Sequence, residues 1–296
     1  MTADPFAAAS DLVARSAAAY AATIPADPAD EGFFGPGSVT WRVSTDLSSP
    51  VAGLRSLLLQ ALHPLAMAGV DQHSDWRRDP VGRLAATSAY LATVSFGERA
   101  AAQRAAARVR RVHERVTGVD PVTGQHYAAG DPALLLWVHA TFVDSGLAAA
   151  AEFGAALSAG ESSRFVAEMV TAAELVGVPR DRVPDSVPAL QAYLGSVRPE
   201  LRATPAARES MGYLLEPPGL DADIAEIWQD VRYGAVALLP PWAREMYGYD
   251  VPPLTDARRT EIRQALGVLD TLFLAEPGVL EARQRIAVRR RAAQRP

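Results

Sequence analysis

The run from Asp131 to Leu157 (DPALLLWVHATFVDSGLAAAAEFGAAL) constrains this chain more than any other. Asp131 followed by Pro132 is a helix start. The carboxylate can accept from a free first-turn N–H, and proline has no N–H to waste there. The residues after Pro132 are apolar on nearly every face instead of along one stripe. Such a helix has to be surrounded by protein. The sequence therefore predicts an all-α fold, a single domain over 1–296, built around a buried central helix at about 131–157. The uninterrupted apolar part, 133–143, is about half of the ~20 residues needed to cross a bilayer, so no transmembrane segment is expected.

The flanking sequence reads as more helix. Alanine and leucine dominate and β-branched alternation is scarce. Residues 6–22 predict an amphipathic helix, and Glu31–Pro36 (EGFFGP) a loop. Ser49-Pro50 opens a helix carrying Leu54, Leu57, Leu58, Ala61, Leu62 and Leu65 at helical spacing. Pro64 should break it just after His63. Asp79-Pro80 starts another helix to about Phe96, with Gly97 as its stop. A long Ala/Arg helix spans 98–116. The Pro/Gly-rich stretch 117–130 should be a loop with room for a small hairpin. Ser158 with Glu161 predicts a capping box for a helix to about Val176. Further helices are expected near 186–195, 204–214, 221–238, 255–274 and 277–293, with a short one after Pro240-Pro241.

Composition narrows the chemistry. The chain has 29 cationic and 34 acidic residues, a net charge of −5, and every cation is arginine. Without lysine there is no Schiff base, no ordinary pyridoxal-phosphate chemistry and no P-loop. Without cysteine there are no disulfides, thiolate nucleophiles, iron–sulfur clusters or thiolate-ligated haem. The basic excess of a nucleic-acid binder is missing, and Arg289-Arg290-Arg291 reads as a solvated last helical turn. The first 31 residues carry five acids against Arg15, unlike a signal peptide, so a cytoplasmic location is expected.

All five histidines, His63, His73, His113, His126 and His139, fall between residues 63 and 139. That clusters the strong nitrogen ligands in one group of helices. Residues three or four apart share a helix face, so Arg83 pairs with Thr87, and Arg110 with His113. Guanidinium groups bind carboxylates in bidentate fashion, and an imidazole flanked by arginines tends to stay neutral and able to ligate metal. A haem requires such a nitrogen, cations for two propionates and an apolar slot. A surface arginine ladder with one partly buried histidine has the same pattern. His139, amid Trp137–Phe142, reads as a core histidine, with a second axial ligand or a distal acid/base group as alternatives. His73 suits a distal, capping or loop role, His63 can bond a carbonyl freed by the break, and His126 reads as structural or exposed. No HExxH, ferritin-like ExxH or GxSxG pattern is present.

Five stretches in order, LLLQALHPLAMAGVDQHSDW (57–76), DPVGRLAAT (79–87), RRVHERVTG (110–118), TGQHYAAGDPALLLWVHATFVDS (123–145) and GVPRDRVP (177–184), resemble the catalytic region of the rubber-oxygenase family. That family includes latex-clearing proteins and mpaB-type oxygenases. The resemblance covers about residues 55–245, including a weaker LPPWAR segment at 239–244. It implies a haem b-dependent oxidoreductase, an oxygenase acting with dioxygen on an apolar, isoprenoid-like substrate. His113, three residues after Arg110, matches the family's iron ligand. Arg83 and Thr87 match its Arg-x-x-Lys-Thr motif, with catalytic or cofactor-binding roles, and His139 is the further catalytic candidate. The motif's lysine is Ala86 here. That departure favours an alternative: a non-catalytic helical protein of the same fold that holds haem or an apolar ligand.

Overall fold

The computed structural model describes residues 30–218, 220, 222–275 and a few positions beyond (284, 287, 288 and 290–292). The helix expected at 6–22, and almost all of that at 277–293, lie outside the described residues. Within them the protein is helical apart from one two-stranded hairpin. In chain order the helices are α1 (Val39–Ser44), α2 (Ser49–Gln60), α3 (Pro64–His73), α4 (Pro80–Phe96) and α5 (Arg99–His113). After the hairpin come α6 (Pro132–Phe153), α7 (Ala159–Val176), α8 (Val187–Val197), α9 (Pro205–Leu215), α10 (Ala222–Ala237), α11 (Pro241–Tyr247) and α12 (Asp256–Ala275). The antiparallel hairpin pairs β1 (Thr117–Val119) with β2 (His126–Ala128).

α6 is the central helix. Asp131 caps it by accepting from the Ala133 N–H at 2.8 Å. Trp137, Ala140, Val143, Ala149 and Phe153 are buried against Leu54, Leu58 and Leu59 of α2. Each large apolar side chain withdrawn from water contributes roughly 1.5–3 kcal/mol. α6 is longer than the 133–143 stretch suggested, because Asp144 and Glu152 are carried along within it. By length and hydropathy it could cross a membrane, but 67% of its most apolar window is buried inside the protein. It ends at Phe153 and not at Leu157. Gly154 lies against the Asp46 carboxylate, which accepts from the Ala155 N–H at 2.9 Å.

The break at Pro64 is sharp: α2 and α3 meet at 102°. The carbonyl of Gln60 accepts from the Trp137 indole at 3.2 Å, and that of Leu62 from the Arg202 backbone N–H at 2.8 Å. Protein groups other than the His63 ring thus satisfy these freed carbonyls.

Arg55, 3% exposed, crosses the α2–α6 interface. It donates to Asp144 (2.7 Å), Ser145 (2.7 Å) and the Leu238 carbonyl (2.8 Å), while Gln191 donates to the other Asp144 oxygen at 2.7 Å. A buried ion pair is tolerable only when its remaining polar atoms are bonded in this way.

Candidate functional site

Helices α4 and α5 are joined by a two-residue turn and pack on each other. The C-terminal end of α4 is anchored to α1, where Trp41 meets Phe96 edge-on at 5.3 Å and donates its indole N–H to the Ser95 carbonyl at 2.8 Å. α5 packs on α7. Among the described residues neither helix forms an extended interface with α6. Among the described residues, hydrophobic clustering along α4 includes Ala92 and Phe96 but nothing from its N-terminal half. Leu84, Tyr90 and Leu91 are half-buried without joining a cluster. The helix pair therefore packs only loosely beside the central helix.

The motif-bearing half of α4 is held at its start. Asp79 accepts from the Gly82 N–H at 2.8 Å. Gly82 leaves room for this cap, because a Cβ would come within 2.0 Å of the Asp79 carboxylate and displace it. One turn on, Arg83 donates to the Ser74 hydroxyl at 3.0 Å. Thr87 donates its hydroxyl proton to the Arg83 carbonyl at 3.1 Å, so that proton is used within the helix.

On α5, Arg110 donates to the Leu175 carbonyl, and its side chain packs beside Gly177. Gly177 has φ +111° as the C-cap of α7, a left-handed conformation that favours glycine. Leu135 of α6 flanks the same glycine. His139 is one turn beyond Leu135 on the same face of α6. His113 is the last residue of α5. The chain leaves the helix soon after it, where the Val116 carbonyl accepts from the Ala129 N–H across the hairpin at 2.9 Å.

The two imidazoles are alike in one respect. The His113 Nδ1 is fully enclosed without a hydrogen-bond partner, and its Nε2 is open and makes no bond to the protein. His139 is half-buried, and neither of its ring nitrogens is bonded or enclosed. Burial lowers the pKa of His113, and the charge of Arg83 lowers it further. Burial alone pushes His139 down to about 4. Arg83, though it touches solvent, is also held below its ordinary value by burial. These groups are accessible to solvent and yet partly desolvated by the protein around them. Both rings are neutral at pH 7, with lone pairs free to ligate.

The structure thus brings Arg83 and His113 together, and sets Arg110 and the His139 face of α6 on either side of Gly177. His73 is turned elsewhere. Its Nε2 lies 3.1 Å from the Thr117 carbonyl and its ring edge meets Tyr127, fastening the hairpin to α3. His63 is buried and sits 3.8 Å from Glu200, and burial, partly offset by Glu200, lowers its pKa. His126 is exposed on β2. Sequence reasoning passed over Tyr90 as a site residue, although its spacing of three from Thr87 and seven from Arg83 puts it on their face. Among the described residues no three His, Asp or Glu side chains are placed to hold a bare metal ion. Two hollows, about 140 Å³ beside His63 and about 210 Å³ beside Arg55 and Trp242, contain no residue of α4 or α5.

A predominantly helical domain is what the sequence resemblance led one to expect. Residues 41–271 match the family described as ER-bound oxygenase mpaB/B′/rubber oxygenase, catalytic domain. The chain belongs to that family, and its general role is that of an oxygenase. Searches of curated proteins and of solved structures gave no match.

Proposed function

We propose that the protein is a haem b-dependent oxygenase that acts with dioxygen on a small apolar substrate of isoprenoid type. The observation that carries this reading is His113: a neutral imidazole with one enclosed, unpaired nitrogen and one open nitrogen, beside Arg83, on a helix pair packed only loosely beside the central helix. The donor set suits a prosthetic group that brings most of its own ligands. A single imidazole can hold the iron, and Arg83 and Arg110 can pair with two propionates in bidentate geometry. The unclustered Leu84 and Leu91 supply apolar wall. Bound haem would supply the redox chemistry that activates dioxygen.

The remaining roles follow from protonation and bonding. With a pKa of about 4, His139 carries no proton to give as an imidazolium at pH 7. With haem bound, it would serve as a neutral N–H donor or as a second nitrogen ligand. Thr87 keeps its hydroxyl lone pairs free to accept a hydrogen bond from a molecule that binds beside it. The apolar walls exclude bulk water and favour an apolar substrate.

The test is haem titration of the purified protein, followed by dithionite, with His113→Ala alongside. A Soret band in the wild type that is lost or displaced in the variant is the expected result. Full haem uptake by His113→Ala would sink the ligand assignment. Ala86, in place of the lysine implied by the family motif, favours the second reading, a binding protein without turnover. Oxygen uptake with isoprenoid substrates separates the two.

A further inference from the structure

On the Arg83–Thr87 face of α4, the hydroxyl of Tyr90 is the one still unengaged. Thr87 has donated its proton to the Arg83 carbonyl at 3.1 Å, and Arg83 is partly engaged with Ser74 at 3.0 Å. Tyr90 is half-buried, and its hydroxyl makes no hydrogen bond and is not enclosed by protein. Its ring is partly withdrawn from water while its O–H stays accessible. An O–H left free in this way is available to a molecule that binds beside it.

Position adds a second argument. Tyr90 is four residues beyond Ala86, and helical side chains lean toward the helix N-terminus. That lean carries the ring over the turn of Ala86, whose methyl group leaves room beside it. Burial raises the phenol pKa to about 12 against the opposing charge of Arg110, so the group stays protonated throughout the physiological range. Val94, one turn further along the face, is buried, so Tyr90 is the innermost polar group on it.

Resting on the haem reading above, we propose that Tyr90 is a catalytic residue whose O–H donates a hydrogen bond to dioxygen, or to a small anion that takes its place, beside Ala86 and Thr87. The anion makes the proposal testable without turnover. Fluoride is a strong acceptor, and its affinity for a ferric haem protein rises when a donor points at it. Haem is titrated into wild type, Tyr90→Phe, Tyr90→His and His139→Phe, and fluoride affinity is then read from the visible spectrum.

Equal haem uptake is expected in wild type, Tyr90→Phe and Tyr90→His, with fluoride bound about tenfold more weakly by Tyr90→Phe, the scale of one lost hydrogen bond to an anion. Tyr90→His, which keeps a ring donor, is expected to bind fluoride more tightly than Tyr90→Phe. Equal affinity in wild type and Tyr90→Phe overturns the proposal. So does a loss confined to His139→Phe, which assigns the donor to α6. If circular dichroism shows Tyr90→Phe misfolded, Tyr90→Leu, which likewise lacks the donor, takes its place, and wild-type affinity in that variant overturns the proposal. Failure of the wild type to take up haem is seen before fluoride is added. That result removes the haem reading, and the tyrosine proposal with it.

Discussion

At the residue scale, what matters is which polar atoms are satisfied. Arg55 and Asp144 are almost fully buried and bonded at every turn, with Ser145, Gln191 and the Leu238 carbonyl completing the set. Arg55→Ala would leave the Asp144 carboxylate buried with only Gln191. A loss of about 3–5 kcal/mol in urea unfolding is expected. His139 shows the opposite condition, a ring that loses water and gains no partner. The unfolded chain takes its proton as pH falls through about 6.5, whereas the folded protein resists protonation until about pH 4. This source of instability is therefore absent above about pH 6.5 and grows between 6.5 and 4, to at most about 3 kcal/mol for a half-buried ring. His139→Gln is expected to be nearly as stable as wild type at pH 7.5 and to gain on it toward pH 4. Parallel pH profiles of the two proteins would contradict the assignment. Arg83, Thr87, Arg110 and His113 could be picked from the sequence because they repeat a recognisable motif. Tyr90 could not, because its interest lies in a bond it does not make. His139 read as core because its neighbours are apolar, whereas in the structure it is half-buried with no bonded ring nitrogen.

At the scale of elements, punctuation was a good guide. Pro64, Pro80, Pro132, Pro205 and Pro241 each begin a helix, and Gly177 and Gly248, both with positive φ, cap helix ends. The Ser158–Glu161 capping box forms as its spacing predicts. Boundaries shifted where tertiary contacts intervened, as at Gly154 against Asp46 and at Val116, where the hairpin takes over the backbone. The N-terminal half of α4 is the exception among these well-packed elements. It has a cap and the Arg83–Ser74 bond, but among the described residues no share in a hydrophobic cluster. Gly82→Ala would displace the Asp79 carboxylate from its capping position, at a local cost of about 1 kcal/mol. Hydrogen exchange should then quicken across 83–91, with little change in the global urea midpoint. An equal quickening in α6 would show that α4 is coupled to the core more tightly than its packing indicates.

For the whole molecule, the all-α class and the central position of α6 were legible because an all-round apolar helix has one stable place to go. The loose packing of α4 and α5 beside it was not, since nothing in their helical periods states how closely they approach the core. A ligand held there binds the folded chain and not the unfolded one, so it must raise the melting temperature. Stoichiometric haem is expected to do so in the wild type and to do so much less in His113→Ala, by differential scanning fluorimetry. Equal shifts in both would point to nonspecific binding.

α6 carries one more consequence. Its 22 residues are shielded by helices that unfold with the rest of the domain. Once they separate, a long greasy segment meets its counterparts on other chains, and self-association competes with refolding. Heating should therefore lead to precipitation, with an apparent midpoint that rises with scan rate. Shelf life would be governed by the height of the unfolding barrier and not by the free-energy gap between folded and unfolded states.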